Sequence, residues 1–188
     1  LRYSEVKLPE TTGKGFGYHF QGEARLSDQR LFSDISLIQL LGNGDLLLPL
    51  PWRLSITLRG QAATTFIDDP FEEIPASLRF FAGGDRSVRG YAYQSLGPKN
   101  AKGEIIGGKH LLAGSIELGR QLSQNWGTAL FMDTGNAFDS WDNYTLKTGA
   151  GAGLRYATPV GPIQIDLASP LGQGKLALRL HVGIGFGW

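Results

Sequence analysis

The last thirteen residues of the chain alternate strictly between two kinds of side chain. Every second position from Leu176 to Trp188 is apolar, whereas the positions between them are small or polar. Successive side chains of a β-strand point to opposite faces, so one face of this segment is apolar and the other is not. The same period recurs in seven further segments, and helical periodicity is almost absent. The sequence therefore predicts an all-β protein with eight strands.

The distribution of charge distinguishes between two all-β folds. A soluble β-sandwich alternates too, and it is the alternative to a barrel at this point. In the alternating segments, however, acidic and basic residues share one face, and the opposite face is apolar and ends in aromatic residues. These aromatic residues are Trp52, Trp126, Tyr156, Phe186 and Trp188. The division favours a membrane-spanning antiparallel β-barrel with a polar lumen, lipid outside and aromatic side chains at the interfaces.

Composition narrows the class of protein further. The 188 residues include 27 glycines and no cysteine, and the formal net charge is +1. The chain is rich enough in apolar residues to fold rather than remain disordered. It carries no block of basic residues that would bind along nucleic acid. The sequence contains no run of about 18 apolar residues, so it predicts no transmembrane helix. We expect a single domain over residues 1–188, with no nucleic-acid partner.

Sequence motifs for catalysis are weak. The segment that ends in Gly108 and Lys109 imitates a phosphate-binding loop, but His110 stands where such a loop needs Ser or Thr. The three histidines are scattered, and no Gly-x-Ser-x-Gly elbow occurs. We therefore expect no enzyme, no catalytic residue, no metal site and no cofactor.

One connection between strands is much longer than the others. Residues from about 64 to 109 contain no regular long strand, and a loop of that length in a compact domain is usually functional. Its centre is rich in turn-forming glycines around two arginines. This loop motif consists of Gly83, Gly84, Asp85, Arg86, Val88, Arg89, Gly90 and Tyr91. From the residues alone, it is either a loop tip held in the lumen or an ordinary surface loop with two solvated arginines.

Two motifs resemble those of a known family. The tetrapeptide Val88 to Tyr91 is similar to the signature of the outer-membrane assembly and two-partner secretion superfamily (BamA/TamA-like), in which the long loop folds back into the barrel. A second family motif, aromatic-x-Asp-x-Gly, matches Phe131, Asp133 and Gly135, which the strand register places on the lumen face. The similarity covers most of the chain and looks closest to the C-terminal half of a TamA-type barrel.

The resemblance implies roles for several residues. It implies that Arg89 engages Asp133 inside the barrel, with the whole loop of about 64 to 109 pointing inward. The last strand resembles the signal by which outer-membrane barrels are recognised and inserted. Its apolar positions are Leu180, Val182, Ile184, Phe186 and Trp188. Family members usually carry POTRA domains before a sixteen-stranded barrel, whereas this sequence corresponds to the second half of the barrel and shows no POTRA domain.

The resemblance also implies a location and a role. We expect a protein of the outer membrane of a Gram-negative-type bacterium, or of an organelle of such descent, in contact with outer-membrane lipids. It would assist insertion or translocation of client outer-membrane or secreted proteins through a weak barrel seam. The alternatives are a passive pore or structural barrel without that activity, and a fragment of a longer assembly factor.

The number of strands limits how the barrel can be completed. Open strand edges cannot face hydrocarbon, because their backbone groups would lack hydrogen-bond partners. The eight strands therefore either close into a small barrel or join another barrel half, as in a homodimer with sixteen strands.

Overall fold

The computed structural model describes residues 1–7, 16–27, 36–67, 74–159, 161–172, 174 and 177–184. The described residues form one antiparallel sheet of nine strands, and each strand pairs with its neighbour in the chain. The strands are β1 (Arg2–Lys7), β2 (Gly17–Ser27), β3 (Leu37–Leu50), β4 (Leu54–Ile67), β5 (His110–Gln121), β6 (Trp126–Phe138), β7 (Lys147–Thr158), β8 (Gly161–Pro170) and β9 (Arg179–Ile184). Among these residues, no helix is long and apolar enough to cross a membrane.

The all-β fold is confirmed, but the sheet has nine strands rather than the predicted eight. The additional strand is β1, whose sequence RYSEVK mixes charged and apolar residues on both faces and so lacks the alternating signal. It forms because its backbone pairs with β2, with Glu5 opposite Phe20. Backbone pairing of this kind leaves no trace in hydrophobic periodicity.

The register assigns the two faces of the sheet as the alternation predicted. On the outer face, Ile116 lies opposite Met132 and Leu118 lies opposite Leu130, and all four side chains are exposed. On the inner face, Ser115 lies opposite Asp133, which is fully buried. An apolar outer face and a polar inner face are what a barrel wall in lipid requires.

The turn between β3 and β4 lies later than its sequence suggests. The run Gly42 to Asp45 has the composition of a turn, yet it continues β3, where Asn43 pairs with Gln21 and Gln61 in the polar lumen. The chain instead reverses at residues 51–53. Trp52 and Arg53, which alternation placed in a strand, both have positive φ there, at 60° and 59°.

Aromatic side chains mark both ends of the sheet. At the end with the short turns, the rings of Trp126 and Tyr156 lie 4.7 Å apart, and Trp52 is exposed in its turn. At the end with the longer loops, Phe138 packs against Tyr144 at 4.7 Å and Trp141 at 4.9 Å. Such aromatic girdles are typical of membrane barrels.

The long loop is shorter than predicted and has a folded structure of its own. It begins after Ile67 rather than near Thr64, because β4 continues to pair with β3 as far as the Leu37–Ile67 pair. Its described part, residues 74–109, contains three antiparallel bridges and a short 3-10 helix at Ala76–Leu78. Four buried loop residues pack together in a small apolar core. They are Ala82, Val88, Tyr91 and Leu96.

The last strand begins at Arg179, and the described part of the sheet has two edges. Leu180, Val182 and Ile184 lie on the outer face as predicted, whereas Phe186 and Trp188 lie outside the described residues. Within the part that the structure describes, β1 pairs only with β2 and β9 only with β8. Because consecutive strands alternate in direction, β1 and β9 run parallel to each other.

Candidate functional site

The loop reaches the inner face of the sheet at Arg89 and Gly90. The Arg89 backbone N–H donates to Asp133 Oδ2 at 2.9 Å, and the Gly90 N–H donates to His181 Nε2 at 3.0 Å. Gly90 has φ of 94°, and a β-carbon on it would lie 2.8 Å from the Ser169 carbonyl carbon. Only glycine satisfies both the backbone angle and the close approach to β8.

The Arg89 side chain forms a bidentate ion pair with Asp133. Nε donates to Asp133 Oδ2 at 2.7 Å and Nη2 donates to Oδ1 at 2.8 Å. Arg89 is 2% exposed and Asp133 is 0% exposed. The Ser115 hydroxyl adds a hydrogen bond to Asp133 Oδ1 at 2.6 Å. Two parallel bonds fix the guanidinium plane as well as its distance, so this pair determines where the loop lies.

The remaining Arg89 nitrogen joins two further strands. Nη1 donates to Asp166 Oδ2 on β8 at 2.8 Å and to Glu117 Oε2 on β5 at 3.0 Å. Arg155 on β7 binds the same two carboxylates, with a distance of 2.9 Å between its Nη2 and Glu117 Oε2. The resulting centre, here called the arginine centre, links the loop to four consecutive strands of the wall. It consists of Arg89, Glu117, Asp133, Arg155 and Asp166.

Negative charge around Arg89 favours its ionised form. Burial by itself would lower the pKa of the Arg89 guanidinium, because the charged form loses water. The hydrogen bond and negative charge of Asp133, together with Asp166 and Glu117, outweigh burial and raise that pKa above its ordinary value. The Arg89 Cζ also lies 3.4 Å from the centre of the Phe131 ring, where the ring quadrupole attracts the cation.

A glycine-rich stretch of β7 makes room for this arrangement. Gly149, Gly151 and Gly153 all face the lumen. A β-carbon would collide with the Arg89 carbonyl oxygen at Gly149, with the Phe131 ring at Gly151 and with the Asp166 carboxylate at Gly153. In sequence, these alternating glycines resemble a nucleotide-binding loop. In the structure, they leave a groove on the lumen face of β7 that accommodates the loop backbone and the arginine centre.

The structure brings together only some residues of the predicted loop motif. Arg89 and Gly90 contact the wall, while Val88 and Tyr91 are buried within the loop itself. Gly83 and Gly84 have φ of 97° and 100° and form the turn. Arg86 is exposed, and Asp85 is half exposed but contacts His181.

The second predicted motif lies where the sequence placed it. Phe131, Asp133 and Gly135 all face the lumen from β6, and all three are buried. A β-carbon on Gly135 would lie 2.7 Å from the Leu112 carbonyl oxygen, so this glycine allows close approach of β5.

Sequence reasoning did not select several residues that complete the site. These residues are Ser115, Glu117, Gly149, Gly151, Gly153, Arg155, Asp166 and His181. The signal that could have found the charged ones was their position on the lumen face of the alternating strands. Alternation alone does not say which lumen residues lie at the same height, so it could not assemble them into one centre.

Comparisons with known proteins agree with this architecture. Residues 14–188 match the Omp85 superfamily domain. Over 111 residues the chain is 31% identical to the outer membrane protein assembly factor BamA of Nitratidesulfovibrio vulgaris, covering 55% of this chain and 14% of that protein. It shares 22% identity and a TM-score of 0.69 with the crystal structure of BamA from Haemophilus ducreyi lacking POTRA domains 1-3, over 96% of this chain and 39% of that chain.

A lipid-facing antiparallel sheet with an inward loop defines the class as a membrane β-barrel protein. Within that class, the chain belongs to the Omp85 superfamily. The predicted family and the predicted outer-membrane location are thereby confirmed. The chain spans a minor part of both relatives' lengths, 14% and 39%.

Proposed function

We propose that this chain forms the loop-bearing part of an outer-membrane assembly factor that helps client proteins insert into, or pass through, the outer membrane. The observation that carries the proposal is the buried pairing of Arg89 with Asp133, which holds the loop motif against the wall motif, the two motifs that resemble those of the superfamily. The relative with 31% identity is itself an outer membrane protein assembly factor. The role requires no chemical reaction, so the proposed protein is not an enzyme and takes no cofactor.

The proposed mechanism uses the free edge of the sheet. In the described residues, the edge of β9 that faces away from β8 presents unpaired backbone groups. Unpaired N–H and C=O groups are costly in hydrocarbon, so an incoming client strand would gain free energy by pairing there. Gly183 on β9 has open space around it, which weakens packing at this edge. The apolar outer face would meanwhile contact outer-membrane lipids.

Strand direction bears on how the barrel is completed. Membrane barrels of single bacterial chains have an even number of antiparallel strands. Because β1 and β9 run parallel, closing the sheet on itself or on the matching edge of a second copy about an axis along the barrel would create parallel seams. We therefore favour completion by further strands of a longer polypeptide, and the homodimer is the alternative.

Cross-linking distinguishes these forms of completion. The chain has no native cysteine, so Tyr3→Cys on β1 and Val182→Cys on β9 can be introduced cleanly. In membranes of cells that produce the complete natural polypeptide, we expect neither position to cross-link to the other. A bond between two chains would establish the homodimer, and a bond within one chain would establish self-closure.

Complementation tests the proposed role. A strain that lacks the protein should accumulate unassembled client barrels, and the wild-type gene should restore assembly. Arg89→Ala should restore much less, whereas Arg86→Ala, which changes an exposed arginine of the same loop, should restore fully. Normal client assembly without the protein, in a strain with no redundant factor, would contradict the proposal.

Complementation can also test which type of assembly factor the chain belongs to. We place the chain nearer to TamA-type than to BamA-type factors, so it should complement loss of a TamA-type factor better than loss of a BamA-type factor.

The second candidate function is a passive pore. It is favoured by a cavity of about 550 Å³ beside the loop, whose lining includes the polar residues Gln61, Arg86 and Arg179. Steady conductance in planar bilayers together with failed client insertion would favour the pore.

A further inference from the structure

In the part of the chain that the structure describes, the last strand hydrogen-bonds to the loop through the side chain of His181. Its Nε2 accepts a hydrogen bond from the Gly90 N–H at 3.0 Å, and its Nδ1 lies 2.5 Å from Asp85 Oδ1. An Nε2 that accepts carries no proton, so the ring proton lies on Nδ1 and is donated to Asp85. His181 is 7% exposed, so water has little access to its ring, whereas the Asp85 carboxylate is half exposed. The imidazole thus uses both nitrogens to hold two points of the loop.

Hydrophobic alternation does not determine the register between β8 and β9. Three apolar pairs face lipid across these strands, namely Ile163–Ile184, Ile165–Val182 and Leu167–Leu180. A shift of one residue would turn these side chains into the lumen, and alternation forbids it. A shift of two residues would bring other apolar residues into the same positions and would keep the faces intact.

The contact made by His181 is specific to the observed register. The neighbouring lumen positions on β9 are Arg179 and Gly183. A shift of two residues would place one of them opposite Asp166, where His181 now lies. Arginine has no acceptor for the Gly90 N–H, and glycine has no side chain. Neither residue could bind both Gly90 and Asp85, so only one register satisfies the loop.

We propose that His181 is a positioning residue that sets the register of β9 through its contacts with Asp85 and Gly90, so that the loop and the last strand move as one unit. This proposal goes beyond the proposed function and does not depend on it. It makes the loop motif a determinant of the strand at the edge of the sheet, in addition to its contacts with β5 to β8.

Disulfide formation between engineered cysteines measures the register. Leu167→Cys with Leu180→Cys reports the observed pairing, because directly opposite β-carbons lie within disulfide range. Leu167→Cys with Val182→Cys, and Ile165→Cys with Leu180→Cys, report shifts of two residues in the two directions. In the otherwise unchanged protein, we expect the disulfide to form mainly in the first pair, and the yields of the three pairs give the ratio of the observed to the shifted register. The assay contains no client, so its outcome is independent of whether the protein assembles clients.

Variants of the contact then test the role of His181. His181→Ala should lower the ratio of the observed to the shifted disulfide about five-fold for each hydrogen bond lost. His181→Gln should retain most of the ratio, because an amide supplies both an acceptor and a donor. Asp85→Ala breaks the contact from the half-exposed loop side, so it decides the matter even where His181→Ala fails to fold.

The control is Arg179→Ala, which removes another lumen-facing side chain of β9 without removing a donor or acceptor for Gly90 or Asp85. It should leave the ratio unchanged. An unchanged ratio in both His181→Ala and Asp85→Ala would overturn the proposal. An equal loss in Arg179→Ala would overturn it as well, because the register would then depend on the strand in general.

Discussion

The carbonyl oxygen of Arg89 occupies the space in which a β-carbon at Gly149 would lie. Gly149 belongs to β7 and has no left-handed backbone angle, so its role is to leave space rather than to permit an unusual conformation. The inward loop therefore rests directly on the wall, backbone against backbone. This contact makes loop placement sensitive to a single methyl group.

Gly149→Ala should displace the loop and weaken the arginine centre. Overpacking at a close contact costs about 1–3 kcal/mol. We expect the folded form to convert to the unfolded form at a lower temperature, measured by heat-modifiable migration on gels. Gly183→Ala is the matched control, since this lumen-facing glycine has open space around it. Equal effects of the two substitutions would contradict the proposed contact.

Arg89→Ala should destabilise the folded barrel more strongly than any other substitution in the loop. It leaves Asp133 buried without its partner, and breaking a buried ion pair costs about 3–5 kcal/mol. Delivery to the membrane should persist, because the apolar outer face is unchanged. The measurement is the heat-modifiable form in isolated membranes, with Arg86→Ala as control. Wild-type heat stability of Arg89→Ala would refute the role of the pair.

Asp133→Ala should destabilise in the same way, and the two substitutions should not be additive. Residues in one ion pair show interaction energies of about 0.5–3 kcal/mol in double-mutant cycles. The double variant Arg89→Ala with Asp133→Ala should therefore lose less stability than the sum of the single losses. Thermal or denaturant unfolding of all four proteins measures the difference. Strict additivity would show that the two side chains act independently.

Phe131→Leu should weaken the centre without changing its net charge. The substitution keeps an apolar side chain but removes the ring that lies 3.4 Å from the Arg89 Cζ. A desolvated cation–π contact contributes about 2 kcal/mol, so a loss of that order is expected in unfolding experiments. Phe20→Leu, on the exposed outer face of β2, is the control and should change stability little. A larger effect at Phe20 would contradict this assignment.

Much of the wall could be predicted because the direction of a side chain in a strand is a local property. Alternation placed Phe131, Asp133 and Gly135 on the lumen face, and the structure agrees. It failed where local composition was ambiguous. The run from Gly42 to Asp45 has turn-forming residues, but long-range pairing with β2 and β4 keeps it in a strand. β1 was missed because only its pairing with β2 distinguishes it from a loop.

By itself, the sequence determined the class of fold, the faces of most strands and the two motifs that meet at Arg89 and Asp133. Only the tertiary structure decided the other partners of Arg89, such as Asp166, which lies 77 residues away, and the link between Asp85 and His181, which are 96 residues apart. The physical reason is that alternation repeats every two residues, so a shift of strand register by two residues leaves the same side chains on each face. Contacts between specific side chains across the lumen select one register, and those contacts exist only in the folded chain.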